Sequence, residues 1–269
     1  EVSNMANLRA NKITTGTGHT YIGWAAGTET TTGNYNTAIG NEALQKTTTG
    51  DSNVAVGWQA LEENTTADGN TAVGYQSMTA NTEGHSNTAL GKDSLKLNVD
   101  GDRNTALGYG ALNVANSPSD NTMVGYFAGV ALTTGSQNTA VGTYALDANT
   151  TGSYNTSLGY LSLSGNTTGE QNTAIGREAL LTNTTGNYNT AVGSFAGKNN
   201  TTGNENVWMG YSTGHDSTTG CKNVAIGNCA LRSTTSGSHN TGVGTCSLFS
   251  NTTGTSNTAV GFVAMRLTT

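Results

Sequence analysis

The chain has 269 residues, of which 37 are Gly and only one is Pro; 34% are hydrophobic, 10% are charged, and the formal net charge is −6. That charge, with no basic stripe, removes the electrostatic basis for binding nucleic-acid phosphates. No run approaches the roughly 18–20 apolar residues of a membrane-spanning helix, so no membrane insertion is expected, and no signal peptide is visible.

Residues 1–18 carry no clear pattern and read as an N-terminal cap or connector. From residue 19 a 17-residue period begins. It runs as a single array over 19–269, with the word NTAVG at 70–74, 138–142, 189–193 and 257–261 and near-copies between. Fifteen repeats start at His19, Asn36 and every seventeenth residue thereafter, without insertion or deletion. The chain opens on Glu1 and stops in mid-repeat at Thr269, as a piece of a longer protein would. The composition alone would suit a disordered chain. Disorder, however, does not demand Gly at one fixed place in fifteen consecutive repeats.

Numbering each repeat 1 to 17 exposes its chemistry. Column 1 is Asn in fourteen of fifteen repeats, column 2 is Thr or Val, column 3 is mostly Ala, column 4 is aliphatic and column 5 is always Gly. Columns 2 to 4 therefore predict a short strand in every repeat, from 20–22 to 258–260, closed by the glycine. Column 8 is small, and column 9 is Leu or Met except at Gly27, Gly129, Gly197 and Gly214. Columns 12 to 15 commonly read Asn-Thr-Thr-Gly, which suggests a second extended stretch and a second turn. No helical apolar stripe exists. A unit this small buries nothing alone. Stacked at about 4.8 Å per coil it becomes an all-β parallel solenoid, a β-roll of about fifteen coils.

Within the coil, columns 4 and 9 are expected to fill the core, with Val73, Leu90 and Leu107 pointing inward. Column 3 then shows a small apolar stripe on the opposite face (Ala38, Ala55, Ala72, Ala89), interrupted at Tyr21, Met123, Ser157, Trp208 and Gly242. Such a stripe suits close packing against copies of the chain, with column 3 or column 8 near a shared axis. Stacked column-1 asparagines suit a hydrogen-bonded amide ladder.

The NTAVG word resembles the NSVAIG-type word in the head repeats of YadA-type trimeric autotransporter adhesins. The longer pattern NTAVGYxALxxNTTGxY is similar to repeats of phage and other viral tail fibres. The resemblance covers residues 19–269. It implies a left-handed roll, three chains side by side, a place on a virion or an extracellular surface, and a non-enzymatic stalk that serves attachment to host glycans or receptors. The adhesin heads have a shorter period than this chain.

Catalytic and metal signatures are not found. His19, His85, His215 and His239 occupy four different columns, and neither a calcium-binding Gly-Gly-x-Gly-x-Asp word nor a nucleophile elbow or phosphate loop occurs, so no cofactor is expected. Column 6 is aromatic at Trp24, Trp58, Tyr75, Tyr109, Tyr126, Tyr160, Tyr211 and Phe262. These rings are candidates for stacking on sugars, or else they cover the turn or pack between chains. The Thr pairs of columns 13 and 14 suggest an alternative function, ice binding, although adjacent residues on an extended strand point to opposite faces. The Asn-Thr-Thr words would accept N-glycans in a eukaryotic secretory host. Cys229 and Cys246 share column 7 of adjacent coils, about 4.8 Å apart, and form a candidate disulfide unless both are small apolar fillers; Cys221, in column 16, has no column partner.

Overall fold

The computed structural model describes residues 16–266. The assigned N-terminal connector, apart from residues 16–18, and the last three residues of the array fall outside that range. The protein is all-β, a parallel β-solenoid with one three-residue strand per 17-residue coil. It divides into two compact units, Glu1–Thr134 and Gly135–Thr269. The first holds β1 (Thr20–Ile22) to β7 (Thr122–Val124) and the second β8 (Thr139–Val141) to β15 (Thr258–Val260). Within each unit every strand pairs in parallel with its sequence neighbour, residue n against residue n+17, as in Thr71↔Thr88 and Thr173↔Thr190.

The coil closes because most backbone N–H groups find a partner one coil away, while those of columns 8 and 12 bond within their own coil, which satisfies the accounting that buried amides demand. Thr37 N–H donates to the Asn53 carbonyl at 2.8 Å, Gly57 N–H to Ile39 at 2.8 Å, Gln59 N–H to Asn41 at 2.9 Å and Leu61 N–H to Ser77 at 3.1 Å. In the Thr-Thr-Gly segment the N–H groups of Thr48, Thr49 and Gly50 converge on one carbonyl, that of Thr65. Successive donors on a single acceptor make a bend. The second extended stretch expected there is therefore absent among the described residues.

Column 5 must be Gly for two reasons. Its φ lies between about 123° and 143°, where side chains are strained, and a Cβ at Gly159 would sit 2.7 Å from the Gly176 carbonyl oxygen of the next coil. Columns 7, 9 and 17 also take positive φ with ordinary residues, for example Leu44 at 49° and Tyr188 at 60°. The backbone hydrogen bonds hold them there against a cost of about 1–2 kcal/mol each.

The strand faces are the reverse of the sequence expectation. Column 3 points inward: Ala38, Ala72, Ala106, Ala174 and Ala225 are fully buried, beside column 8 (Ala43, Ala60, Ser94) and column 9 (Leu44, Leu95, Leu180). Column 4 points out, with Leu90 47% and Leu107 40% exposed and Val73 half-buried. The reason is steric. The coil is so thin that columns 3 and 9 meet across it, and an Ala opposite a Leu fills the space. Where column 3 is large, column 9 is Gly. Gly27 lies against Tyr21, Gly129 against Met123, and both Gly197 and Gly214 against Trp208. With columns 3 and 8 sealed inside, neither can line a shared axis between chains.

Three side-chain ladders complete the interior and one wall. Within the units, column-1 asparagines accept the backbone N–H of the next through Oδ1 (Asn189 to Asn172, 3.0 Å), and most donate through Nδ2 to their own coil's column-15 carbonyl (Asn172 to Gly186, 2.8 Å). His19 takes this role in the first coil, its Nδ1 facing Asn36 N–H at 3.3 Å. A second buried ladder runs through column 12, where Asn81 donates to Asn64 at 3.0 Å and Asn200 to Asn183 at 2.7 Å. A third runs along column 16, whose side chains accept the N–H of the preceding coil: Asp102 from His85, Ser238 from Cys221, and Cys221 Sγ from Asn204 at 3.3 Å.

Candidate functional surface

Because column 3 faces in, columns 2 and 4 share the outer face of the strand. Column 2 is Thr in twelve coils and Val in three, column 4 is aliphatic in all fifteen, and neither contains a charge. The aliphatics are partly exposed, as at Ile39, Leu158, Met209 and Ile226. Among the described residues none of the column-2 Thr hydroxyls enters a hydrogen bond. The column-13 hydroxyls behave oppositely. Thr48, Thr167, Thr184 and Thr218 each donate to the column-13 carbonyl of the next coil at 3.0–3.1 Å. The column-13 half of the Thr array singled out from sequence is thus part of the scaffold, whereas its column-14 half, as at Thr151 and Thr168, is exposed with hydroxyls that enter no hydrogen bond, as on column 2.

Column 6 borders the strand face. Trp24, Tyr75, Tyr109, Tyr126, Tyr160 and Tyr211 are exposed and Trp58 is half-buried. In the first unit the row Trp58, Tyr75, Lys92, Tyr109, Tyr126 is closely stacked. Trp58 and Tyr75 have centroids 4.8 Å apart, Tyr109 and Tyr126 5.4 Å, and the Lys92 ammonium lies 5.3 and 5.5 Å from the rings of Tyr75 and Tyr109. Rings that face one another along the stack present their edges to solvent. Sugar stacking needs an open ring face, so Trp24 and Tyr160, which share no ring pair among the described residues, are better placed for it than this row.

The remaining chemistry is dispersed. Among the described residues no group of three or more His, Cys, Asp or Glu side chains could hold a metal ion. No helix there is long and apolar enough to cross a membrane. His85 accepts Asp68 N–H at 3.0 Å, and His215 Nδ1 sits 2.6 Å from Asp216. His239 lies in the column-17 turn, at φ 60°. Glu178 bridges Lys198 and Arg177, at 2.8 and 2.9 Å, and Lys198 chiefly holds its carboxyl below the usual range. Burial pushes the Asp147 carboxyl up, against the hydrogen bond from Ser164.

All three cysteines are free thiols, and Cys229 and Cys246 stack in column 7. Both have φ 54°, so their Cα–Cβ bonds are parallel copies. The Cβ atoms then inherit the coil spacing of about 4.8 Å, beyond the 3.5–4.5 Å of a relaxed bridge. Burial raises the Cys229 thiol, with Cys246 adding to the effect. The Asn-Thr-Thr words are closed to glycosylation in the folded chain, since Asn149, Asn166, Asn183 and Asn251 are buried in the column-12 wall.

No family model, curated protein or solved structure matches the chain.

Proposed function

We propose that this chain is a non-enzymatic fibre or stalk segment of a virion or cell-surface adhesin, that it works as a homo-oligomer, with the trimer as the leading stoichiometry, and that it contributes to host-surface attachment. One observation carries the reading: each coil spends its backbone donors and interior amides on the coils beside it, leaving an outer strand face without charge or any repeated catalytic group. Such a repeat is a spacer that grows by adding coils. Glycan contact along its side would use Trp24 and Tyr160 first. Sedimentation of the purified chain at micromolar concentration tests assembly, with an oligomer expected and a well-folded monomer counting against the reading. A glycan array tests attachment, with any signal expected to fall on Trp24→Ala and Tyr160→Ala.

Ice binding is the second reading, and a specific observation favours it: the column-2 hydroxyls are free, evenly spaced and on the same face as the column-4 aliphatics. It requires thermal hysteresis that disappears when column-2 threonines such as Thr105 and Thr173 are changed to Tyr. The fibre reading requires none.

A further inference from the structure

We infer that the outer strand face, columns 2 and 4, is the surface through which copies of this chain pack on one another. The inference rests on the fibre reading and adds the face that makes the contact. A chain with a net charge of −6 resists self-association unless its copies meet where that charge is absent. Columns 2 and 4 have no charged residue in any coil, while column 6 on one side carries Lys92 and Arg177 and columns 16 and 17 on the other carry Asp102 and Asp120. Its column-4 side chains are apolar and exposed, as at Leu90, Leu158 and Met209, beside the uncharged hydroxyls of column 2.

Pitch identifies the occupant. The aliphatics recur once per coil, at about 4.8 Å, over seven coils in one unit and eight in the other. A partner that fills the gaps between successive side chains must repeat at the same pitch over the same length. A second copy does so by construction, and an irregular globular surface does not. A three-residue strand is about 10 Å long, which gives a flat projection of about 340 Å² on the first unit and about 380 Å² on the second. Each is a little under half of the roughly 800 Å² per partner of a stable interface.

Two outward, half-buried positions, one per unit, test the idea: Val73→Asp with Val192→Asp in one chain. The control pair is Thr151→Asp with Ser194→Asp, on outward columns 14 and 6. Sedimentation equilibrium of the full chain is the assay, with circular dichroism to verify folding. The wild type and the control pair are expected to assemble, and the column-4 pair to associate at least tenfold more weakly. An assembled column-4 pair would overturn the inference and leave the fibre reading standing. A monomeric wild type would overturn both, and hysteresis in that monomer would hand the face to ice. If the Asp pair does not fold, hydroxyl-radical footprinting of the wild type decides: Leu158 and Met209 must be shielded in the oligomer and oxidised at least several-fold faster on dilution, and equal rates would overturn the inference.

Discussion

Replacing Trp208 with Ala should damage the second unit more than any other column-3 substitution. The indole is 1% exposed and stands where most coils place a methyl group. Its room comes from two coils, because Gly197 and Gly214 both give up the column-9 side chain; a Cβ at Gly197 would lie only 2.5 Å from the indole, and one at Gly214 would overlap it. Truncation removes the ring and leaves two glycines around the hole. With no side chain able to collapse into it, the loss should sit at the upper end of the 3–5 kcal/mol range for buried Trp→Ala. The same geometry specifies a rescue. Trp208→Ala combined with Gly197→Leu and Gly214→Leu restores the Ala-opposite-Leu packing of the other coils. Leu44, Leu61 and Leu180 already adopt φ near 50° in column 9, so the new leucines meet a backbone shape their column tolerates. Most of the loss should return, less about 1–2 kcal/mol for each residue placed at positive φ. Hydrogen exchange read on peptides from 189–239 measures this locally, as suits a repeat array whose unfolding need not be all-or-none. A triple variant no more protected than Trp208→Ala would refute the account, as would a Gly214→Leu single variant as stable as wild type.

Ser217→Asn should stabilise the second unit by about 1 kcal/mol. The column-12 ladder stops at Asn200, whose Oδ1 is buried without a partner, as is the Ser217 hydroxyl; an Asn there donates to Asn200 and reduces two orphans to one, readable as a shift in denaturant midpoint. Glu178→Gln should cost about 0.5–1 kcal/mol at pH 7, the scale of a partly exposed ion pair. Because Lys198 lowers the Glu178 carboxyl on folding, its stabilisation is present above the unfolded carboxyl pKa and is lost as pH falls through the folded one. Wild type and variant should therefore converge in acid, and a pH-independent difference would refute the assignment. Alkylation without reduction should label three thiols by mass spectrometry, whereas a single label, on Cys221, would reveal a Cys229–Cys246 bridge.

The period, the strand positions, the obligatory Gly and the column-1 ladder were all legible in the sequence, because each is a one-column property. Which strand face turns inward was not. Hydropathy places Val73 inside and Ala72 outside, yet in so thin a coil the decisive quantity is the summed volume of column 3 and column 9. That signal was present in the pairing of Tyr21 with Gly27, Met123 with Gly129, and Trp208 with Gly197 and Gly214. It appears only when two columns are compared, and for Gly197 across two coils. The column-16 ladder was hidden for a different reason. Asp, His, Ser, Asn and Cys share no hydropathy and no charge, only a short reach and an acceptor atom.

The sharing of Trp208 between coils also bears on how such an array changes length. Tandem repeats expand and contract by unequal recombination, and here a crossover that loses one 17-residue period usually joins equivalent coils and restores every ladder. Losing the period that carries Gly197 instead sets the indole against the Leu180 coil, where no space has been left for it. Residues 189–222 are therefore a packing pair, two coils that fit each other and of which neither can leave without the other.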